Sequence, residues 1–335
     1  MQMHNIMQAN TKRLKTKISL ISISLSILLL GTGSALIGLS SASALPSPSQ
    51  DVVYNNIPDQ IPGNVPSLGY EATTTEEFGS QVQFNGTARK DPTVTVLMSS
   101  WACKSGTWNN NDCITNPGST FTYPVTLNVY SVGDNDSVGS LIKSDTETFT
   151  MPYRPTADDG TNCNAANGTA GEWWDAQDST CYNGKDFTIS FNLNGVTLPD
   201  DAIVSVAYNT SDYGVAPQGD NTACHSTVQG CPYDSLNVGT NPVPSVGTSE
   251  PSNDDAYVKG TTGYAYCDNG VSGTGTLRLD AGCWGGYLPA IEVAASSGHG
   301  NYPPVVHGHH QNPIGYGSHD TNFPGYRGFY DLRHW

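Results

Sequence analysis

Basic charge is what this chain has least of. Its 335 residues carry 14 Lys and Arg against 30 Asp and Glu. Four of those 14, Lys12, Arg13, Lys15 and Lys17, lie near the N-terminus, and no acidic residue precedes Asp51. Beyond that leader, 10 basic residues stand against 30 acidic ones, a net charge of −20. Such a polyanion repels phosphate backbones and anionic headgroups, which excludes a nucleic-acid function. Its acidic surface is read as a source of solubility, and cation binding is the alternative.

Other absences narrow the chemistry. Beyond the leader no stretch repeats apolar residues at the helical period, which argues against an α-helical domain. No CxxC pair is present, so the cysteines lack the common zinc-site spacing. GxSxG (beyond the leader), HExxH and GxxxxGK[ST] are missing as well. Asp158-Asp159, Asp200-Asp201 and Asp254-Asp255 are adjacent pairs. Neighbours on a strand point to opposite faces, so such pairs serve poorly as an acid and base across one bond. We therefore expect no catalytic residue from sequence, although carboxylates from distant loops remain free to meet in a cleft.

What is present begins with the leader. Ile18 to Leu39 is an apolar run behind the basic cluster, and Ala42-Ser43-Ala44 offers small residues at a cleavage site. The run is long enough to cross a bilayer, so an uncleaved N-terminal membrane anchor is the alternative, with its basic end inside. Ser19, Ser22, Ser24 and Ser26 dilute it and favour a cleaved signal peptide. Either way residues 45–335 are expected outside the cytoplasm, secreted or at the cell surface.

Eight cysteines follow, an even number in an exported chain, which reads as a disulfide framework. Sequence order suggests local pairs: Cys103–Cys113, Cys163–Cys181, Cys224–Cys231 and Cys267–Cys283. Each closes a loop rich in Gly, Asn, Asp and Ser, and constrains the unfolded chain by roughly 2–3 kcal/mol.

Between the loops the pattern is that of strands. Val94, Val96 and Met98 alternate with Thr and Leu, as do Val125, Leu127 and Val129 with Thr, Asn and Tyr. Phe187, Ile189, Phe191 and Leu193 alternate with polar residues, and Ala202, Val204, Val206 and Tyr208 form a run whose second face is partly apolar. Gln81–Gly86, Leu141–Met151, Thr274–Asp280 and Ala290–Ala294 are further candidates. Period-2 patterning of β-branched and aromatic residues marks strands with one face in a core. The expectation is an all-β, antiparallel two-sheet sandwich over residues 45–295, jelly-roll-like, with long disulfide-clamped loops. Gly133 to Gly139 and Asn194-Gly195 supply hairpin turns. Asp134, Asp136 and Asp145 echo the offsets of a calcium loop, but Val138 stands at a ligand position, so a hairpin is the better reading.

Several segments resemble a family of exported bacterial β-sandwich proteins of the cell surface or medium. They are Gly63 to Ala72, Gly171-Glu172-Trp173-Trp174, Ser205 to Gly214 and Asp234 to Val238, and the resemblance runs from about Val52 to Ala294. It implies extracellular placement and an all-β fold. It implies no activity, and no site residue is carried over from it.

Residues 296–335 hold six of the eight histidines among Gly and Pro, and are expected to be a disordered tail. His307, His309 and His310 are the candidate ligands for a divalent metal there, with a solvated appendage as the simpler reading. No other cofactor is expected. For ligand binding the candidates are Trp173, Trp174, Trp284 and Tyr287, aromatic residues beside cysteines, where rings either stack on sugars or bury the bridge. Trp101 and Trp108 flank Cys103 in the same way. Asn85, Asn135, Asn167 and Asn209 each open an Asn-x-Ser/Thr sequon. The reading is a non-enzymatic extracellular structural or interaction protein, with a glycan or another cell-surface protein as partner. The alternative is an extracellular polysaccharide-acting enzyme that uses two loop carboxylates.

Overall fold

The structure of the chain is a computed structural model that describes residues 49–106, 112–158, 160–163, 172–210, 231–252 and 254–298. The leader, the three tail histidines His307, His309 and His310, Trp108, Asn167 and Cys224 lie outside the described residues. Among the described residues sixteen strands succeed one another. The first eight are β1 Asp51–Asn55, β2 Ser67–Gly69, β3 Thr75–Gln83, β4 Lys90–Ser100, β5 Thr120–Val132, β6 Val138–Pro152, β7 Thr156–Ala157 and β8 Trp173–Asp175. Then come β9 Thr180–Tyr182, β10 Lys185–Asn192, β11 Asp201–Ala207, β12 Leu236–Gly239, β13 Thr248–Glu250, β14 Asp255–Gly260, β15 Arg278–Ala281 and β16 Ile291–Ser296. The one α-helix among the described residues is a single turn, α1, Tyr70–Thr73.

All pairings of these strands are antiparallel and build the two sheets of a sandwich. In the first, β4 is the spine: β10 pairs along one edge, and β16 and β12 lie end to end along the other. β1 extends it beyond β16, and β2 beyond β12. The second sheet has the order β15-β14-β3-β11-β5-β6, with β13 beside β14 on the same edge of β3. A small third sheet, β7-β8-β9, carries the loop closed by Cys163–Cys181.

The alternation seen in sequence becomes the core. Val94, Val96 and Met98 of β4, Ile189 and Phe191 of β10, Val125, Leu127 and Val129 of β5, and Val204 and Val206 of β11 form one buried cluster across both sheets. Truncating any of these to Ala costs about 2–5 kcal/mol in lost transfer energy and cavity. β11 has apolar residues on both faces because it is central, between β3 and β5.

Some elements differ from expectation. β3 begins at Thr75, six residues before the expected Gln81, inside a polar Thr-Glu-Glu segment. Its carboxylates are buried and partnered. Glu77 Oε1 accepts from Asn128 Nδ2 at 2.8 Å, Tyr130 OH at 3.1 Å and Ser205 Oγ at 2.6 Å. Lys259 Nζ lies 3.1 Å from Glu76 Oε2. Gly79 sits opposite Ser205, and a Cβ there would lie 2.6 Å from the Ser205 Cβ, so the close approach of β3 and β11 needs glycine. At the β5–β6 turn, Asp134–Asp136 is a short 3₁₀ turn whose Asp136 carbonyl accepts from Tyr257 OH, while Asp145 lies on β6 with Lys143 at 3.8 Å. That is a hairpin, as expected, and not a calcium loop.

Cys103–Cys113, Cys163–Cys181 and Cys267–Cys283 are joined, across 10, 18 and 16 positions. Cys231 is disulfide-bonded too, and its expected partner Cys224 falls outside the described residues. Such bridges belong to a protein of an oxidising compartment. No helix among the described residues is long and apolar enough to cross a membrane.

Candidate functional site

A cleft of about 700 Å³ lies at the β2–β12 edge of the first sheet. Two short segments and two single residues wall it: Asn64 to Gly69 with Glu71, Ala72 and Thr73 of α1, Asp234-Ser235 with Asn237, and the isolated Trp101 and Tyr287. Both segments, around 63–72 and 234–238, are among those that carry the family resemblance.

Each wall is fixed by the elements behind it. β2 pairs with β12 so that Gly69 faces Asn237, whose Nδ2 donates to Ser67 Oγ at 3.0 Å. The turn α1 closes with Thr73 Oγ1 donating to the Gly69 carbonyl at 2.9 Å and ends at Thr74, a non-glycine residue at φ 57°. Behind α1, the ring of Tyr70 stacks on Tyr208 at 4.1 Å, and Tyr70 OH donates to the Val206 carbonyl at 2.6 Å. Behind Asp234, the ring of Tyr233 stacks on Tyr123 at 4.0 Å. Burial holds the Tyr70 and Tyr208 phenols far above their ordinary range, so they act as neutral donors and packing surface. Asp234 Oδ2 accepts from the Cys231 backbone N–H at 2.8 Å, and the Trp101 backbone N–H donates to the Ser235 carbonyl at 2.9 Å.

Trp101 is positioned from below by a buried arginine. The Arg154 guanidinium lies 4.4 Å from the Trp101 ring centroid and 3.3 Å from that of Trp173, and Arg154 Nε donates to the Asn183 carbonyl. Burial lowers the Arg154 pKa to about 9, and Glu172 pulls it partly back. This cation–π stack explains the Trp173 side of the Trp173-Trp174 pair.

The four expected ligand-binding aromatics therefore do not form one platform. Trp173 is 7% exposed and engaged by Arg154. Trp284 is 8% exposed, packs on Phe78 at 5.1 Å, and donates from Nε1 to Asp280 Oδ2 at 2.9 Å. Buried rings offer no face to a sugar, so these two assignments are corrected to packing that covers disulfide loops. Tyr287, 46% exposed, lines the main cleft. Trp174 lines a second cleft of about 390 Å³, beside Tyr153 and Gln177. There Lys185 Nζ sits 2.9 Å from Asp175 and 2.5 Å from Asp178. Burial alone would lower that ammonium, but the two carboxylates outweigh it and its pKa is raised.

Candidate carboxylates and metal ligands resolve similarly. Asp158 Oδ2 caps the backbone N–H groups of Gly160, Asn162 and Cys163, which depresses its pKa, with the Cys163 N–H the main cause. Asp200 pairs with Arg89 at 3.2 Å, and Asp255 accepts from the Gly282 N–H. Cys267, Asp280 and Cys283 lie close enough to chelate a metal, but the two sulfurs are joined and Asp280 already accepts from Cys267 N–H, Trp284 and Arg278. A disulfide supplies no thiolate, so this donor set does not fit a metal ion. Glu71 and Asp234, which sequence reasoning passed over, are the carboxylates of the main cleft. Asn64 and Asn237 were missed as well. Only their place in the resemblance segments pointed to them, since neither lies in a motif with its own chemistry.

Comparison with protein-family models, curated proteins and solved structures returns no match to this chain.

Proposed function

We propose that this is a non-enzymatic protein of the cell surface or extracellular medium, of the exported bacterial β-sandwich kind, whose main cleft binds an uncharged glycan. The observation that carries the reading is the cleft lining itself. It combines two aromatic rings, Trp101 and Tyr287, with the amides of Asn64 and Asn237 and the hydroxyls of Ser67 and Ser235. Rings take the C–H face of a pyranose, while amides and hydroxyls pair with its hydroxyls. Among the described residues that line the cleft none is basic and two are acidic, which disfavours uronate or phosphate-bearing polymers. Support for export comes from the leader and from the disulfides, which need an oxidising compartment.

A glycan array probed with the purified chain tests this. Neutral oligosaccharides are expected to bind wild type, with roughly tenfold or greater loss in Tyr287→Ala and Asn237→Ala. An array without hits would leave a structural role only.

Glu71 and Asp234 in one cleft favour a second reading, glycan hydrolysis by paired carboxylates. Release of reducing ends from a bound polymer, abolished in Glu71→Gln, would establish it. Against it stands the engagement of Asp234 with the Cys231 backbone.

A further inference from the structure

One row of side chains crosses the first sheet on the face turned away from the core. Asp186 of β10 lies opposite Ser99 of β4, Ser99 opposite Asn237 of β12, and Asn237 opposite Gly69 of β2. Their neighbours Phe187, Met98, Val238 and Leu68 pack on the core instead, as strand alternation requires. Asn237 and Gly69 line the main cleft. Asp186 therefore stands in a row whose other end is the cleft wall.

Trp101, another wall residue, meets this row. It follows Ser99 by two positions, as Gly184 precedes Asp186 by two. A Cβ on Gly184 would collide with Ser99 Oγ and lie 2.5 Å from Trp101 Nε1, so glycine there lets the indole edge lie along the β10 backbone. Trp101 and Asp186 are thus diagonal neighbours on paired strands, a spacing that aromatic side chains span.

The two hold complementary unmet needs. Trp101 Nε1 is buried without an acceptor, and both Asp186 carboxyl oxygens are buried without a donor in normal hydrogen-bond geometry. Buried polar atoms left in that state are uncommon and costly. An ionised carboxylate only accepts and an indole N–H only donates, so ionisation makes them matched partners. Burial raises the Asp186 pKa to about 7, which puts both protonation states within reach near neutrality. The charges nearby are few. Lys185 adjoins it on β10 and is held by Asp175 and Asp178. Arg154, which feels Glu172, stands over the Trp101 ring. Across Ser99 come only the neutral Asn237 and Gly69. No histidine is among the described residues.

We propose that Asp186 is a positioning residue of the cleft: as a carboxylate it accepts from the Trp101 indole N–H and fixes that wall, so that binding in the cleft depends on pH. A ring held by Arg154 over its face and by Asp186 at its N–H loses less freedom when a ligand docks, so the ionised form is the tighter binder. The effect on binding rests on the glycan reading of the cleft, whereas the bond between Asp186 and Trp101 does not.

A ¹⁵N NMR titration of the purified chain from pH 5 to pH 9, without glycan, decides the bond. The Trp101 indole N–H is expected to move downfield in one transition centred near pH 7, and Asp186→Asn, which cannot ionise, to abolish that transition. Trp101→Phe removes the donor and should raise the midpoint of the Asp186 carboxyl, read by ¹³C, because donation favours the ionised form. Neutral-glycan affinity of the wild type is expected to rise roughly threefold or more between pH 6 and pH 8, and that of Asp186→Asn to stay level. An indole that does not titrate, or that titrates equally in Asp186→Asn, overturns the proposal. So does an affinity indifferent to pH while the indole titrates. If no glycan binds at any pH, the cleft reading fails, and the indole titration still decides the bond.

Discussion

Asp186 shows how much one buried carboxyl can alter. It faces Ser99 across the β10–β4 pair, and neither carboxyl oxygen has a hydrogen-bond partner meeting normal geometry among the described residues. Burial pushes its pKa up from 3.8 to about 7, with Ser99 and Lys185 only partly opposing. The native state therefore holds a proton that the unfolded chain releases near pH 4. This makes the sign the reverse of an ordinary paired carboxylate. Asp186 costs nothing below the unfolded pKa, and stability falls as pH rises from about 4 through 7. Each tenfold difference in proton affinity between the folded and unfolded chain is worth roughly 1.4 kcal/mol. Asp186→Asn is therefore expected to raise stability at pH 8 by about 2–4 kcal/mol and to leave pH 4 nearly unchanged. Thermal melts of both proteins at pH 4, 6 and 8 check it, and equal gains at all three pH values would refute the assignment. The residue scale also explains the corrected aromatics. Composition says a Trp is near a cysteine, but only the fold says that Arg154 occupies the Trp173 ring.

At the scale of elements, legibility followed periodicity. β4, β5, β10 and β11 were readable because one face of each enters the core, and alternation records that directly. β3 was half-legible: its apolar residues Phe78 and Val82 alternate, but Glu76, Glu77 and Gln81 are buried by partners from distant strands. Pairing over long sequence separations leaves no local signal. β2, β12 and β13 have only three or four residues each, too few to show a period. The cleft inherits this limit, because β2 and β12 build it. The disulfide loops were legible from spacing alone. Under denaturing, non-reducing conditions a thiol titration of the chain is expected to find essentially no free cysteine, and peptide mapping to return 103–113, 163–181, 267–283 and the sequence-expected 224–231. Two or more free thiols, or a bridge between different loops, would contradict the local clamps.

For the whole molecule, a conventional sandwich is joined to one unusual end. The core cluster spans both sheets and needs no ligand to explain it. The cleft end is different: stacked tyrosines and the Arg154 clamp lie behind the walls of an open cleft. Rigid walls around an open cleft suit the binding we propose, because little conformational entropy is then lost when a ligand docks. The charge balance of −20 over residues 45–335 favours uncharged or basic partners for the binding we propose.

The most direct test of glycan binding in the main cleft is a ¹⁵N NMR titration that follows the indole N–H of the tryptophans while neutral oligosaccharides are added. The Trp101 ring lines the cleft while its indole N–H is buried beside Gly184, so the resonance reports on occupancy through the ring that carries it. Saturable shifts are predicted at Trp101 and at the backbone of Asn237 and Tyr287, with the buried Trp173 and Trp284 indoles nearly still. Shifts confined to Trp174 in the smaller cleft, or none with any neutral oligosaccharide, would contradict it.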